Sequence, residues 1–227
     1  MAFTLDRVVP WGRSFAEYAA MFDLSESDLR LRVLGCGDGP AAFNATLSRR
    51  GGKVVSLDPI YVFDTAQIRR RIAETYETVL AQLRENKNDY VWESIRSVQE
   101  LGLIRMAAME EFLVDYETGK EEGRYISGEL PMLPFADGSF DLALSSHFLF
   151  LYSNQLTEAF HLQALKEMLR AAHEVRVFPL LALDGKRSVH LDFVTKQLES
   201  LGYHIGIKRV TYEFQRGGNE MLTIRSS

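Results

Sequence analysis

The chain has 227 residues, 46% of them hydrophobic and 25% charged, with a formal net charge of −5 and an isoelectric point near 5.6. That is the composition of an ordinary globular protein, long enough to bury roughly 70% of its unfolded-chain surface. The acidic balance argues against a nucleic-acid partner, since the one basic run, Arg69–Arg71, sits among acids. A single cysteine, Cys36, excludes an internal disulfide. No apolar run approaches the ~20 residues of a membrane-crossing helix, and Met1–Arg7 lacks the apolar core of a signal peptide. A single cytoplasmic domain, monomeric or homodimeric, is the expectation.

Taken in order, residues 11–23 carry helical spacing, with Phe15, Ala19 and Phe22 on one face and Tyr18 beside them. Ser14 and Glu17 form a capping box at its start. This helix either packs on the sheet edge or covers a site, with Arg13 or Tyr18 lining it. Strand 1 is expected over Leu31–Leu34. It opens into Gly35-Cys-Gly-Asp-Gly-Pro40, and a helix is expected from Pro40 to Gly51-Gly52, with proline at its first position and glycine beyond its end. Strand 2, Lys53–Leu57, ends on Asp58.

Asp64 and Gln67 form a second capping pattern, and Ile68, Ile72, Tyr76, Val79 and Leu83 follow at helical spacing. The helix breaks at Asn86–Asp89. Val91, Trp92, Ile95 and Val98 form another apolar face, Gly102 interrupts, and Met106 to Tyr116 continues before an exposed loop at Gly119–Gly123. Roughly 65 residues thus separate strands 2 and 3, where a crossover needs about a dozen or more. Residues 60–123 are read as a helical insertion that forms a lid. Strand 3 (Arg124–Ser127), strand 4 (Phe140–Ser145), a helix (Leu156–Ala172) and strand 5 (Val175–Leu181) follow. Pro179 should mark the end or a bend of strand 5, because proline donates nothing to a central ladder. A helix over Val189–Leu201 capped by Ser188, then a hairpin of His204–Phe214 and Glu220–Ile224, close the chain. The fold expected is α/β: a Rossmann-like, seven-stranded, mostly parallel sheet with helices on both faces and an antiparallel last strand.

The glycine loop after strand 1 allows a ligand close to the backbone, and its N–H groups favour a negative group. Asp58, nineteen positions after Gly39 and at a strand end, is placed to accept ribose hydroxyls or to cap the next turn. Cys36 reads as a small packed residue rather than a nucleophile. His161, His173, His190 and His204 do not make a metal-ligand spacing. The Met106, Met109 and Phe112 face reads as core.

Val33–Pro40, Ser56-Leu-Asp-Pro59 and Gly128–Asp141 resemble, in order, motif I, the acidic strand-2 motif and the stretch before strand 4 of class I S-adenosylmethionine-dependent methyltransferases. The closing hairpin is similar to that family's last two strands. The resemblance implies an S-adenosylmethionine cofactor and a small-molecule methyl acceptor. It implies that Gly35, Gly37 and Gly39 shape the methionine and ribose pocket and that Asp58 holds the ribose. Pro59, Ile60, Glu129 and Leu130 would flank the adenine, and Ser145 and Ser146 would stand beside the methyl. His147 is the first candidate base and Tyr152 the second. The chain departs from the family at Val33, where an acid usually faces the cofactor's ammonium; Asp38 is the compensating candidate. Two other readings stay open: a methyltransferase-like binding or regulatory protein without catalysis, motivated by Val33, and a nicotinamide dehydrogenase, which the Gly-x-Gly-x-Gly spacing and the closing hairpin disfavour.

Overall fold

The computed structural model describes residues 9–226; Met1–Arg7, the N-terminal stretch read above for a signal peptide, lies outside them. Seven strands form one sheet: β1 (Arg32–Cys36), β2 (Lys53–Leu57), β3 (Tyr125–Ile126), β4 (Phe140–Ser146), β5 (Ala172–Phe178), β6 (His204–Arg209) and β7 (Glu220–Arg225). Their order is β3-β2-β1-β4-β5-β7-β6. Neighbours from β3 to β5 run parallel, and β7 runs antiparallel to both β5 and β6. The expected Rossmann-like architecture is therefore present. The chain goes one way from β1 to β2 and returns on the other side as β4, so the topology switches between β1 and β4, where α/β sheets open a crevice.

Helices α1 (Phe15–Met21) and α2 (Phe43–Arg49) cover one face, with Tyr18, Phe22, Phe43 and Leu47 against Val33, Leu142 and Leu144. Helices α5 (Glu158–Ala171) and α6 (Leu191–Ser200) cover the other, with Leu165, Met168 and Val194 against Leu34, Ala143 and Val175. Among the described residues no helix is long and apolar enough to cross a membrane.

Between β2 and β3 lie α3 (Thr65–Glu85) and α4 (Val98–Glu121). The Asp64–Gln67 capping box forms at the start of α3. Gly102 does not interrupt α4, nor does Gly119 begin a loop; both lie inside this 24-residue helix. A Cβ at Gly102 would lie 2.4 Å from the Tyr76 hydroxyl, and one at Gly119 2.4 Å from the Tyr125 ring. These glycines record close packing rather than chain breaks. Residues 91–97, read as an apolar helical face, are not helical. Phe112 and Tyr116 of α4 pack on Tyr125 of β3, and Glu111 bonds Thr46 of α2. So α4 is the crossover helix packed on the sheet, and α3 is the added layer.

Other boundaries move for local reasons. β1 runs to Cys36 because its ladder with β2 continues to Leu57. Helix α2 begins at Phe43, not Pro40, since the backbone of residues 37–42 is taken up by the loop. β5 starts directly from α5 at Ala172 and ends just before Pro179, as a proline requires. Ser188 does not cap α6; His190 occupies that position without a side-chain bond, and the Ser188 hydroxyl bonds Ser153. β6 stops at Arg209, and residues 210–219 leave the sheet. They meet the helical segment instead, where Val91 N–H donates to the Phe214 carbonyl (2.8 Å) and Arg216 N–H to that of Asp89 (2.8 Å).

One buried ion pair joins these parts. Arg105 of α4, fully buried, donates to Glu17 of α1 at 2.5 Å, and Tyr212 of the 210–219 segment donates to the other Glu17 oxygen at 3.0 Å. Burial alone would raise the Glu17 carboxyl, but the charge and hydrogen bond of Arg105 outweigh it and hold it below the usual carboxylate range. Removing one partner leaves an uncompensated buried charge. Arg105→Met should therefore lower unfolding free energy by about 3 kcal/mol in urea titration, with most of it restored in the Glu17→Gln, Arg105→Met double variant.

Candidate functional site

The segments that leave β1, β2, β3 and β4 at their carboxyl ends line one cavity of about 960 Å³. It lies at the upper end of the roughly 300–1,000 Å³ found for small-molecule sites. Gly37, Asp38, Gly39 and Pro40 come from β1, Asp58, Pro59 and Ile60 from β2, Gly128 to Pro131 after β3, and Ser146, His147 and Phe148 from β4. Helix α3 closes one side with Gln67, Arg70, Arg71 and Glu74, spaced along one helical face. Phe214 and Gln215 close another, and Leu151, Tyr152, Leu156, Phe160 and Leu183 complete an apolar wall.

The glycine loop is built around its own aspartate. Asp38 folds back toward β1, where its carboxylate accepts the Tyr18 hydroxyl (2.9 Å) and the Ser56 hydroxyl (2.6 Å). A Cβ at Gly35 would stand 1.7 Å from that carboxylate. Gly35 is thus needed by the chain itself and, contrary to the sequence expectation, does not line the cavity. Gly37 and Gly39 do line it, with φ of +73° and +55°. At Gly37 a Cβ would press the Phe148 ring at 3.0 Å, whereas at Gly39 it would meet no protein atom within 4 Å and would stand in the cavity. Val33 is 1% exposed in the apolar layer under Tyr18 and Phe43, where burying an acid would carry a desolvation cost.

Asp58 also caps. Its oxygens accept the Gly39 N–H (2.8 Å) and the Ile60 N–H (2.9 Å), tying the loops after β1 and β2 together. Each oxygen keeps acceptor capacity toward the cavity. Burial pushes Asp38 and Asp58 each up to about 6, against the hydrogen bonds that favour their charge, and Asp58 adds to the rise at Asp38.

Glu129 and Leu130 line the cavity, Glu129 exposed and Leu130 buried. Ser146 lines it too; Ser145, the preceding strand residue, does not, since successive side chains face opposite ways. The Ser145 hydroxyl is buried without a hydrogen-bond partner. His147 follows β4 at φ +52°, an uncommon conformation for a residue with a side chain, held by its N–H bond to the Phe178 carbonyl (2.7 Å). Its Nδ1 lies 2.9 Å from Ser146 Oγ. Burial, then the Arg13 and Arg105 charges, hold the imidazole well below its usual range, so it is neutral at physiological pH. Burial pushes the Tyr152 phenol up, which makes it a hydrogen-bond donor rather than a base at neutral pH. Cys36 is buried in the α5 side of the core and burial pushes its thiol well up, so it is a packed residue.

Several lining residues carried no sequence signal. Phe148 and Leu151 lie beyond the end of β4, and Phe214 falls in the stretch whose alternation reads as strand. Of the two residues by which the first helix could line a site, Arg13 does line the cavity; Tyr18 does not, and donates to Asp38 instead.

No protein-family model matches the chain. Among curated proteins it is similar to the uncharacterised protein MJ0045 of Methanocaldococcus jannaschii, with 34% identity over 215 residues that cover 94% of each chain. Among solved structures it is similar to the magnesium protoporphyrin IX methyltransferase ChlM of Synechocystis with bound SAM, at 11% identity over 94% of this chain and 78% of that one, TM-score 0.47. It is similar also to a SAM-dependent methyltransferase from Aquifex aeolicus, at 16% identity over 92% and 90% of the two chains, TM-score 0.42.

A carboxyl raised from 3.8 to about 6 on folding works against the folded state once it ionises. The penalty is absent below pH 4, grows as pH rises toward 6, and is complete above. Asp38→Asn keeps hydroxyl partners at Tyr18 and Ser56, which can donate or accept. It should therefore stabilise the ligand-free protein by about 1–2 kcal/mol at pH 7.5 and by less at pH 5, read by denaturant unfolding at both values.

Proposed function

The chain belongs to the family of the archaeal protein MJ0045, and we propose that it is an S-adenosylmethionine-dependent methyltransferase acting on a small molecule. The observation that carries the reading is the meeting of the Gly37–Gly39 backbone, the Asp58 carboxylate and the Asp38 carboxylate on one cavity at the β1/β4 switch. The residues fit the cofactor. Gly39 leaves open space that any side chain would fill. Asp58 has one free acceptor direction on each oxygen for a pair of ribose hydroxyls. Asp38, in place of an acid at Val33, is the carboxylate for a cationic amino group. Pro59, Ile60, Glu129 and Leu130 would border the base.

When bound, S-adenosylmethionine supplies an electrophilic methyl group on a sulfonium. The protein's part is alignment and proton handling. Ser146 and Phe148 form the edge between the glycine loop and the apolar wall. In the tautomer that donates Nδ1–H to Ser146, His147 presents the lone pair of Nε2 and takes the acceptor's proton if it has one to lose. Neutral at working pH, His147 is always in its base form, though a weak one. Helix α3 and the Phe214 segment exclude water. The low basicity of His147 favours, as a second reading, a cofactor-binding protein without turnover.

Calorimetric titration with S-adenosylhomocysteine should give saturable binding, weakened at least tenfold in Asp58→Ala and falling as pH drops below about 6, where Asp38 and Asp58 take up protons. No binding at millimolar ligand overturns the reading. Labelled methyl transfer into a small-molecule extract separates enzyme from silent binder: the enzyme labels a product and the silent protein does not.

A further inference from the structure

We infer that the methyl acceptor is an apolar small molecule with a carboxylate, and that Arg13 receives that carboxylate. This rests on the reading above and adds the acceptor's chemistry to it.

The cavity's charged side chains fall into three groups: acids at the sheet edge, Arg70, Arg71 and Glu74 on the α3 face, and Arg13. The acids at the sheet edge, Asp38, Asp58 and Glu129, come from the loops after β1, β2 and β3. Away from them the wall is Leu151, Tyr152, Leu156, Phe160, Leu183 and Phe214, apolar apart from one phenol. Arg13 lines the same cavity just ahead of α1. Among the described residues no carboxylate lies within ion-pair distance of it; the nearby acid, Glu17, is already engaged by Arg105 and Tyr212. Its Nη1 donates to the Trp11 carbonyl at 2.7 Å, and its Nε is buried without a partner. A guanidinium needs its donors satisfied when it is taken from water, and its planar fork fits a carboxylate. Burial, then the like charge of Arg105, work against the protonated form of Arg13, so an anion arriving there offsets an existing cost. The groups that feel the Arg13 charge include His147, Tyr90, Tyr152 and Tyr212. Of these, Tyr90, His147 and Tyr152 line the cavity, whereas the groups that act on Asp38 and Asp58 do not include Arg13, so a carboxylate at Arg13 is received apart from those acids.

The test uses the full chain loaded with S-adenosylhomocysteine, with naphthoate as probe and the neutral naphthamide as its isostere, followed by calorimetry. Naphthoate should bind about 10- to 100-fold more tightly than naphthamide. Arg13→Gln should abolish that preference while leaving naphthamide and S-adenosylhomocysteine affinities unchanged, which also certifies that the variant folds. Arg13→Lys should keep part of the preference. Equal binding of the two probes, a preference that survives in Arg13→Gln, or no saturable binding of either overturns the inference. So does an Arg13→Gln protein that loses S-adenosylhomocysteine but retains methylthioadenosine, which lacks the amino-acid end, for Arg13 would then hold the cofactor's carboxylate. Failure of the unmodified protein to bind S-adenosylhomocysteine is a separate result and counts against the methyltransferase reading; the naphthoate preference is still read on the unloaded chain.

Discussion

The Glu17 carboxylate, buried and charged, ties together three parts of the chain that stand around the cavity. It is shared by Arg105 of the helical segment between β2 and β3 and Tyr212 of the connection between β6 and β7, while it also accepts the Ser14 N–H at the head of its own helix. Three stretches far apart in sequence meet at two oxygen atoms. Such a pair is costly to desolvate and needs every lone pair engaged. Here the helix cap, the cation and the phenol engage them together. The consequence is geometric. With α1, α4 and the Tyr212 segment held at one point, Arg13 is fixed at the cavity wall and Phe214 is brought over against Tyr90, whose ring stacks on it at 4.9 Å. A hydrophobic roof alone would not specify that register, because apolar contacts slide where a shared carboxylate does not.

A second constraint acts at the glycine loop. The Asp38 carboxylate, turned inward, needs the space of a missing side chain at Gly35, and the backbone at Gly37 and Gly39 takes left-handed φ to bring the loop round. The loop is then closed by Asp58 through the Gly39 N–H. Two buried carboxylates therefore stand over the same crevice, each held less acidic than usual by burial. The fold tolerates them at a cost to its own stability, a pattern found where a site is prepared for a partner of opposite charge.

Much of this was legible in the residues. The alternation of apolar strands with helical spacing, the position of Asp58 and the capping boxes at Ser14 and Asp64 are local signals, and local signals survive folding. What was not legible depends on partners remote in sequence. Gly102 and Gly119 look like breaks until Tyr76 and Tyr125 are seen to occupy the space of their absent side chains. Residues 210–214 look like strand because they are apolar in alternation, yet Tyr212 and Phe214 face a helical segment rather than a neighbouring strand. The side of β4 on which Ser145 falls turned on a one-residue choice at the strand end, which period alone does not resolve. The pattern of three glycines reads as ligand access throughout and hides that the first, Gly35, makes room for the chain's own Asp38.

The placing of Arg13 apart from Asp38 and Asp58 bears on how little the protein has to do chemically. On the proposed reading, a sulfonium held beside Asp38 and Asp58 would face an acceptor held by Arg13, in a chamber walled by Phe148, Leu151, Phe160 and Phe214. When a cation and an electron-rich acceptor exchange a methyl group, charge is dispersed on the way to the transition state. Water opposes that dispersal by solvating the separated charges, and an apolar wall does not. An acceptor that already carries its anion at the Arg13 end is oriented by that end and presents its nucleophilic atom toward the glycine loop. The demand on His147 then falls to removing a proton where one is present, a task for an imidazole that rests neutral and becomes protonated only as it takes that proton. The rate would rest on enclosure and alignment, which is what the Glu17 clamp and the Asp38 turn supply.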